Sequence, residues 1–408
     1  MSLPACGLVF PTRVSEQGTE TEDAPGSDAA LHPDAASPQD ATLAHDATLP
    51  PEAGAADAAD AADATDATLH DSSTGDAAVD APCNHVVPPP PPAQGSPGPD
   101  TVSFVSAFRL LTGIEPGDAG GTLGFDLDGV CTCPGPPSCI SAVTPPSMNC
   151  DEPGGRDLQG EPLFVVFDQA FAVTELGDFS QRIAEGRLNL LLAVSDYNGG
   201  PDDTQVTVAA YGSNGLRDPD GGAYVPPRWN GADEWNVDPA SWFASTLTDA
   251  GWHYTPSFFT TSAYVTQNTL VARFDDGITF DFGFTSTLVR DAVLTATIAA
   301  DPAGGYDLSG NFGGRIATAD IFDLMGRLTV GADAGRLCGA NPLFQGLSAT
   351  VCQSADIMSS AAVDNTNAVC DALSIAVGFS AFPAELGAPY DLPETPFGCD
   401  GSVYQCSP

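Results

Sequence analysis

The carboxylates most suggestive of chemistry stand in a short run, Phe125-Asp126-Leu127-Asp128-Gly129-Val130, with Asp151, Glu152 and Asp157 following closely. Two aspartates flanking one residue, with a glycine behind them, offer the hard oxygen ligands that Ca²⁺ collects in sets of roughly six to eight. Asp126, Asp128, Asp151 and Asp157 are therefore expected to hold structural calcium, the single cofactor expected of this chain. The D-x-D-x-D-G-x5-E register of an EF-hand is absent. Two further oxygen-rich segments are "DYNGGPDD", with Asp196, Asn198, Asp202 and Asp203, and "DPDGG", with Asp218 and Asp220. The competing reading at all three places is a plain Asp/Gly turn, in which the side chain bonds the backbone two residues on.

All four tryptophans fall in one stretch, Trp229, Trp235, Trp242 and Trp252, with Tyr224 and Tyr254 beside them. Exposed aromatic rings stack on sugar faces, and Asn230, Asp233 and Glu234 lie close enough in sequence to fix hydroxyls. The expected ligand-binding set is Tyr224, Trp229, Asp233, Trp235, Trp242 and Trp252. The alternative is that these rings fill a core or cover an edge. His253 is the one histidine beyond residue 100 and reads as a partly buried structural residue. Neither a G-x-S-x-G elbow nor an H-E-x-x-H helix occurs. A glycosidase needs a carboxylate pair, but 54 acidic residues single out none. No catalytic residue is assigned.

The 11 cysteines divide into Cys6, Cys83, a cluster of Cys131, Cys133, Cys139 and Cys150, and a second of Cys338, Cys352, Cys370, Cys399 and Cys406. No pair of C-x2-C units exists, which argues against structural zinc. Loop-rich spacing such as "CTCPGPPSC" reads as a disulfide framework and hence as an oxidising compartment. Setting Cys6 aside leaves an even set, which can pair completely; the partners themselves are not fixed by spacing.

Net charge is -42, and the 12 basic residues are all arginine. Nucleic-acid binding requires a basic footprint, so that class is excluded, and direct docking on an anionic membrane face is disfavoured. Residues 14–100 consist largely of Ala, Asp, Thr and Pro and have too little apolar surface to offset the entropy of ordering. They are expected to form a disordered acidic tether with a reach of roughly 50 Å, ending in a stiff polyproline II spacer at Pro88–Pro92. No apolar run approaches the ~18 residues of a membrane span.

Beyond residue 100 the texture changes. Segments 101–111, 187–194 and 204–210 read as strands, the second apolar on both faces. A short helix is expected over 178–186, capped by Asp178 and stopped by Gly186. Leu270, Ala272 and Phe274 share a face, "DDG" reads as a hairpin turn, and Ile278, Phe280, Phe282 and Phe284 line the return. Segments 292–300 and 305–316 suggest another strand pair. Ile321, Leu324, Met325 and Leu328 have helical spacing after Thr318 as cap. Strict alternation then returns at Leu373, Ile375, Val377 and Phe379. The expected fold is mainly β: a jelly-roll-like β-sandwich with a helical, disulfide-stapled excursion near the C-terminus. Residues 1–13 form a short N-terminal remnant, 14–100 the tether and 101–408 one domain.

The opening "LPACG" resembles the lipobox of bacterial lipoproteins. Leu3, Ala5 and Cys6 match, whereas Pro4 stands where the family usually has a small residue. The resemblance implies lipidation of Cys6 and an export leader encoded upstream of Met1. With "GFDLDGVCTCPGPPSC", "CDEPGGRD" and "CDALSIAVGF", the layout is similar to surface lipoproteins abundant in myxobacteria, which implies an extracytoplasmic, outer-membrane location. "FDLDGV" also looks like the first motif of haloacid-dehalogenase phosphatases, which would make Asp126 nucleophile and Asp128 acid/base. That fold needs βα alternation and a later cation, whereas "CTCPGPPSC" follows directly and the chain has no lysine. The expected function is an exported, lipid-anchored, non-enzymatic interaction or carbohydrate-binding module. Its partners would be a glycan or another surface protein, and the membrane only through the anchor. A polysaccharide hydrolase and a structural envelope lipoprotein are the alternatives.

Overall fold

The computed structural model describes residues 83–113, 122–133, 135–143, 149–160, 179–218, 222–249, 251–281, 286–302, 304–328, 337–339, 341–364, 367–392, 399 and 404–406. The N-terminal segments 1–13 and 14–82, Cys6 included, lie outside them, as do Asp178, Asp220, Phe282 and Phe284.

Alternating apolar segments give β1 (Val102–Thr112), β2 (Asn189–Tyr197) and β3 (Asp203–Ser213), with a short helix α1 (Phe179–Ala184) before β2. The tryptophan-bearing stretch supplies β4 (Glu234–Val237), β5 (Trp242–Thr248) and β6 (Gly251–Pro256). Then come β7 (Phe258–Thr266), β8 (Thr269–Phe274), β9 (Ile278–Asp281), β10 (Ser286–Ala300) and β11 (Tyr306–Ala317). Two helices, α2 (Thr318–Arg327) and α3 (Pro342–Ser354), precede the last strand, β12 (Ala372–Pro389).

The sandwich expectation is corrected by two strand pairings. A sandwich leaves sheet edges free, but β12 pairs with both β11 and β1, and β3 pairs with both β2 and β7. The result is a closed eight-stranded antiparallel barrel in the order β1-β2-β3-β7-β8-β10-β11-β12. Every barrel strand thus neighbours the next barrel strand in the chain, and closure removes the unpaired edges. Period-two alternation had announced which face of each strand is buried. It carries no information on which strand lies alongside, and that decides between sandwich and barrel.

The lumen is filled. Phe108, Leu192, Val208, Leu270, Leu294, Phe312 and Phe379 belong to one buried apolar cluster, and Phe108 stacks on Phe379 with ring centroids 4.5 Å apart. Eight strands give an interior about wide enough for side chains alone. A second cluster lies on the outside, where Ala107, Leu191, Ala209 and Tyr211 pack with Trp235 and Val237 of β4. This explains the continuous apolar run of β2: Leu190, Leu192 and Val194 face the lumen, and Leu191 faces the outer layer. Beyond Ala384, the tail of β12 leaves β1 and runs parallel to β4.

Three local expectations change. Asp275-Asp276-Gly277 is no hairpin turn: β8 and β9 both pair antiparallel with β10, at Phe274↔Ala292 and Ile278↔Val289, so they run collinear along it. The three residues form an interruption within one strand line, and Gly277 takes φ 78 there. Helix α2 is preceded by Ala317 in the capping position with no side-chain bond, and Thr318 is already helical. The stretch before residue 100 is not free either. The Cys83–Cys131 disulfide, Val86 N–H to Gly154 O, Tyr264 hydroxyl to Pro89 O, and Ser96 N–H to Asp202 O hold 83–99 against the barrel. Helix α3 had no sequence reading, although Asn341 caps it by accepting from Leu343 N–H and Pro342 opens it.

Phe312 is 0 % exposed within the lumen. Phe312→Ala should lower unfolding stability by about 3–5 kcal/mol, read as a fall in urea midpoint with unchanged slope.

Candidate functional site

Arg315 on β11 stands directly opposite Ser374 on β12, and both are 0 % exposed. Their chain neighbours Ile316, Leu373 and Ile375 belong to the lumen cluster, so by alternation this pair faces outward. The described residues of 122–133 and 149–160, with loop 355–364, cover it. A buried guanidinium must be paired, and Arg315 is. Its Nη1 donates to Met358 O at 2.9 Å and Asp364 Oδ1 at 2.8 Å. Its Nη2 donates to Leu127 O and Asp364 Oδ2, both at 2.6 Å. Nε lies 3.3 Å from Asp291 Oδ2. The planar fork suits this bidentate arrangement as an ammonium would not.

Through Leu127, Arg315 fixes the loop that carries Asp126 and Asp128. Leu127 N–H donates to Asp157 Oδ2 at 2.6 Å, Gly129 N–H to Asp126 Oδ1 at 2.7 Å, and Val130 N–H to Asp128 Oδ1 at 2.8 Å. The outcome is three buried carboxylates, Asp126, Asp128 and Asp157, each with an oxygen within 4.8 Å of the others. These are three of the four residues expected to share a cation. Asp151, the fourth, is not part of the trio; it accepts from Thr132 N–H at 2.6 Å and acts on the others through its charge. Behind them Asp356 accepts from Ser374 N–H at 2.9 Å and Ser374 Oγ at 2.6 Å.

Disulfides frame the cluster. Cys133–Cys150 ties its two loops together, Cys83–Cys131 fastens the segment before β1 to the first of them, and Cys139–Cys370 anchors them beside the start of β12. Gly155 is required here: it has φ 70, and a Cβ would sit 2.8 Å from Cys131 Sγ and 3.2 Å from Asp126 Oδ2. Cys338–Cys399 and Cys352–Cys406 secure the helical region. All ten cysteines expected in the framework are therefore paired.

Burial, reinforced by neighbouring negative charge, dominates the electrostatics. Desolvation pushes the Asp157 carboxyl well above its ordinary value, with Asp128 and Asp356 adding repulsion. Asp128 is raised for the same first reason. Asp151 and Asp356 are each pushed up to about 7, mainly by burial and then by Asp128.

Of the other oxygen-rich segments, 196–203 is a turn, and Asp220 of the third lies outside the described residues. Asp203 accepts from Asn198 and Gln205 N–H, Asn198 Oδ1 from Gly200 N–H, and Asp196 from Thr207 Oγ1, which together close the β2–β3 hairpin. Asp218 accepts from Gly222 N–H.

The aromatic platform is corrected too. Trp235 is 0 % exposed, so no sugar can reach its ring. Trp229 is half-buried against Trp235 and Phe382, with the Arg109 guanidinium 5.8 Å from its centroid. Asp233 is buried and accepts from Arg228 and Trp229 N–H. Trp242 and Trp252 flank Tyr254, whose hydroxyl donates to Gly387 O, and Tyr224 lies under Arg217. The rings mostly seal the outer wall of the barrel. His253, expected to be partly buried, is exposed on β6.

The sequence reading missed Arg315, Asp356, Asp364 and Ser138, and it placed His85, which bonds Asp126, in the tether. Arg315 had one signal, a lone cation among small residues in "GNFGGRIATA".

Asp356 yields a prediction. Unfolded, it titrates near ~3.9; folded, it holds its proton up to about 7. The folded state thus carries the extra proton between those values, so stability is greatest below the lower one and falls as pH rises through the higher. In divalent-free buffer the urea midpoint should drop from pH 5 to pH 8, and Asp356→Asn should reduce that drop. Equal drops in both proteins would contradict the assignment. No protein-family model, curated protein or solved structure matches this chain, and what its sites do is read from their own geometry.

Proposed function

We propose that the chain works outside the cytosol as a non-enzymatic interaction module, lipid-anchored at the cell envelope through Cys6 and presenting its β5–β6 hairpin to another surface protein. The observation that carries this is the complete pairing of the ten domain cysteines, which marks maturation in an oxidising, extracytoplasmic environment. It leaves Cys6, in its lipobox-like setting, as the one cysteine outside that set.

Two features support binding over catalysis. The lumen is packed with side chains, and Asp157, in the acid cluster, is only 2 % exposed, so a polysaccharide has no approach to that carboxylate. The β5–β6 sheet, by contrast, carries Phe243 at 75 % and Leu247 at 62 % exposure. Register puts Leu247 opposite Trp252 and on the face of Tyr254, which is clasped to the barrel wall. Scattered exposed apolar residues need no explanation; Leu247, exposed directly across from the half-buried Trp252, is an apolar spot suited to a protein partner.

Two measurements test the reading. Intact mass of chain isolated from envelopes should show ten hydrogens lost to disulfides and acylation at Cys6; an unmodified Cys6 would remove the anchor. A photo-crosslinking residue in place of Leu247, displayed on intact cells, should give a discrete protein adduct. A glycan adduct would favour the carbohydrate alternative, and none at all the purely structural one.

A further inference from the structure

We infer that Asp126, Asp128 and Asp157, with the hydroxyl of Ser138, form a binding site for one divalent cation of the calcium class. Two observations of different kinds carry it. The first is the convergence of three buried carboxylate oxygens within 4.8 Å of one another. Each of the three aspartates spends an oxygen on a backbone N–H, from Gly129, Val130 and Leu127 respectively, which orients the carboxylate as a whole. The second is Ser138. It is 1 % exposed, and its Oγ, next to Asp128, has no hydrogen-bond partner of ordinary geometry. A buried hydroxyl left in that state calls for an explanation such as an ion, and an oxygen aimed at a cluster of carboxylates is what a hard cation would use.

Of the nearby basic side chains, His85 bonds Asp126 alone of the three aspartates, and the two arginines are engaged elsewhere. Arg315 is committed to Asp364, Asp291 and two carbonyls, and Arg156 gives its Nη1 to Pro153 O. The ligand atoms are all oxygens, and the adjacent sulfurs of Cys131, Cys133, Cys139 and Cys150 are locked in disulfides, so a thiolate-seeking metal gains nothing here. An irregular set of carboxylates and a hydroxyl on loops suits Ca²⁺, whereas Mg²⁺ demands a near-ideal octahedron and keeps its waters. The ion would join three loop segments, 126–128, 138 and 157, already drawn together by the disulfides. Extracellular modules typically hold calcium with a Kd of roughly 10⁻⁴–10⁻³ M, and a site of this kind fills after export.

The test uses the full chain, stripped with chelator and titrated with Ca²⁺ by calorimetry, with the urea midpoint followed in parallel. The expected result is one saturable ion per chain and a midpoint that rises with Ca²⁺, as linkage requires. Asp128→Asn and Asp157→Asn should each weaken binding at least tenfold, and Ser138→Ala, which removes no charge, several-fold. The exposed Asp276→Asn should bind like wild type, which separates the site from diffuse attraction to the many other acids. Should the two Asp variants fail to fold, Ser138→Ala decides. The proposal is overturned if wild type shows no saturable binding, or if binding persists unchanged in Ser138→Ala and in whichever Asp variants fold.

Discussion

A single buried guanidinium holds the barrel and its loops in one arrangement. Arg315 leaves the outer face of β11 and reaches Leu127, Met358, Asp364 and Asp291, residues from three separate parts of the chain. Removing one partner of such a pair costs about 3–5 kcal/mol, because the remaining charge is stranded without solvent. The position of Leu127 in turn sets those of Asp126 and Asp128, and its N–H orients Asp157. In a chain with 54 acidic and 12 basic residues, a buried cation is a scarce resource. Its placement decides where carboxylates can be brought together at all.

Much of the wall was legible from sequence. Leu373, Ile375, Val377 and Phe379 alternate as a half-buried strand must, and all four point into the lumen. Leu190 to Val194 read correctly as buried on both faces. Closure was not legible, since it depends on β12 pairing with β1 across more than half of the chain. The Asp275-Gly277 segment misled for a related reason. Turn chemistry marks a bend, but whether the chain reverses or continues depends on β10, which accepts β8 and β9 end to end.

The acid cluster was partly legible for a covalent reason. Asp126, Asp128, Asp151 and Asp157 sit close to Cys131 and Cys150, and cysteines in an oxidising compartment draw their neighbours together. Arg315, Asp356 and Asp364 come from far along the chain, with no local pattern to mark them; 188 residues separate Arg315 from Leu127. The tryptophans misled because composition shows that rings are concentrated, not which way they face. Trp235, with Trp229, Trp242 and Tyr254 packed against its cluster, seals the outside of a wall built from residues as small as Ala107 and Ala209.

A filled eight-stranded barrel leaves no room inside for chemistry, so whatever this domain does must be built on its outer surface. That shifts the electrostatic burden to the loops. Cys139 and Cys370 are 231 residues apart, and the cover over Arg315 needs β11, the 355–364 loop and β12 all in place. Contacts of such long range form after local ones, because the entropy of closing the intervening chain must be met first. The cover over the carboxylates is thus a long-range contact, as is the pairing of β1 with β12 that closes the barrel. Apolar burial in the lumen can offset the cost of crowding negative charge outside it, which explains how so acidic a chain sustains a cluster of buried aspartates.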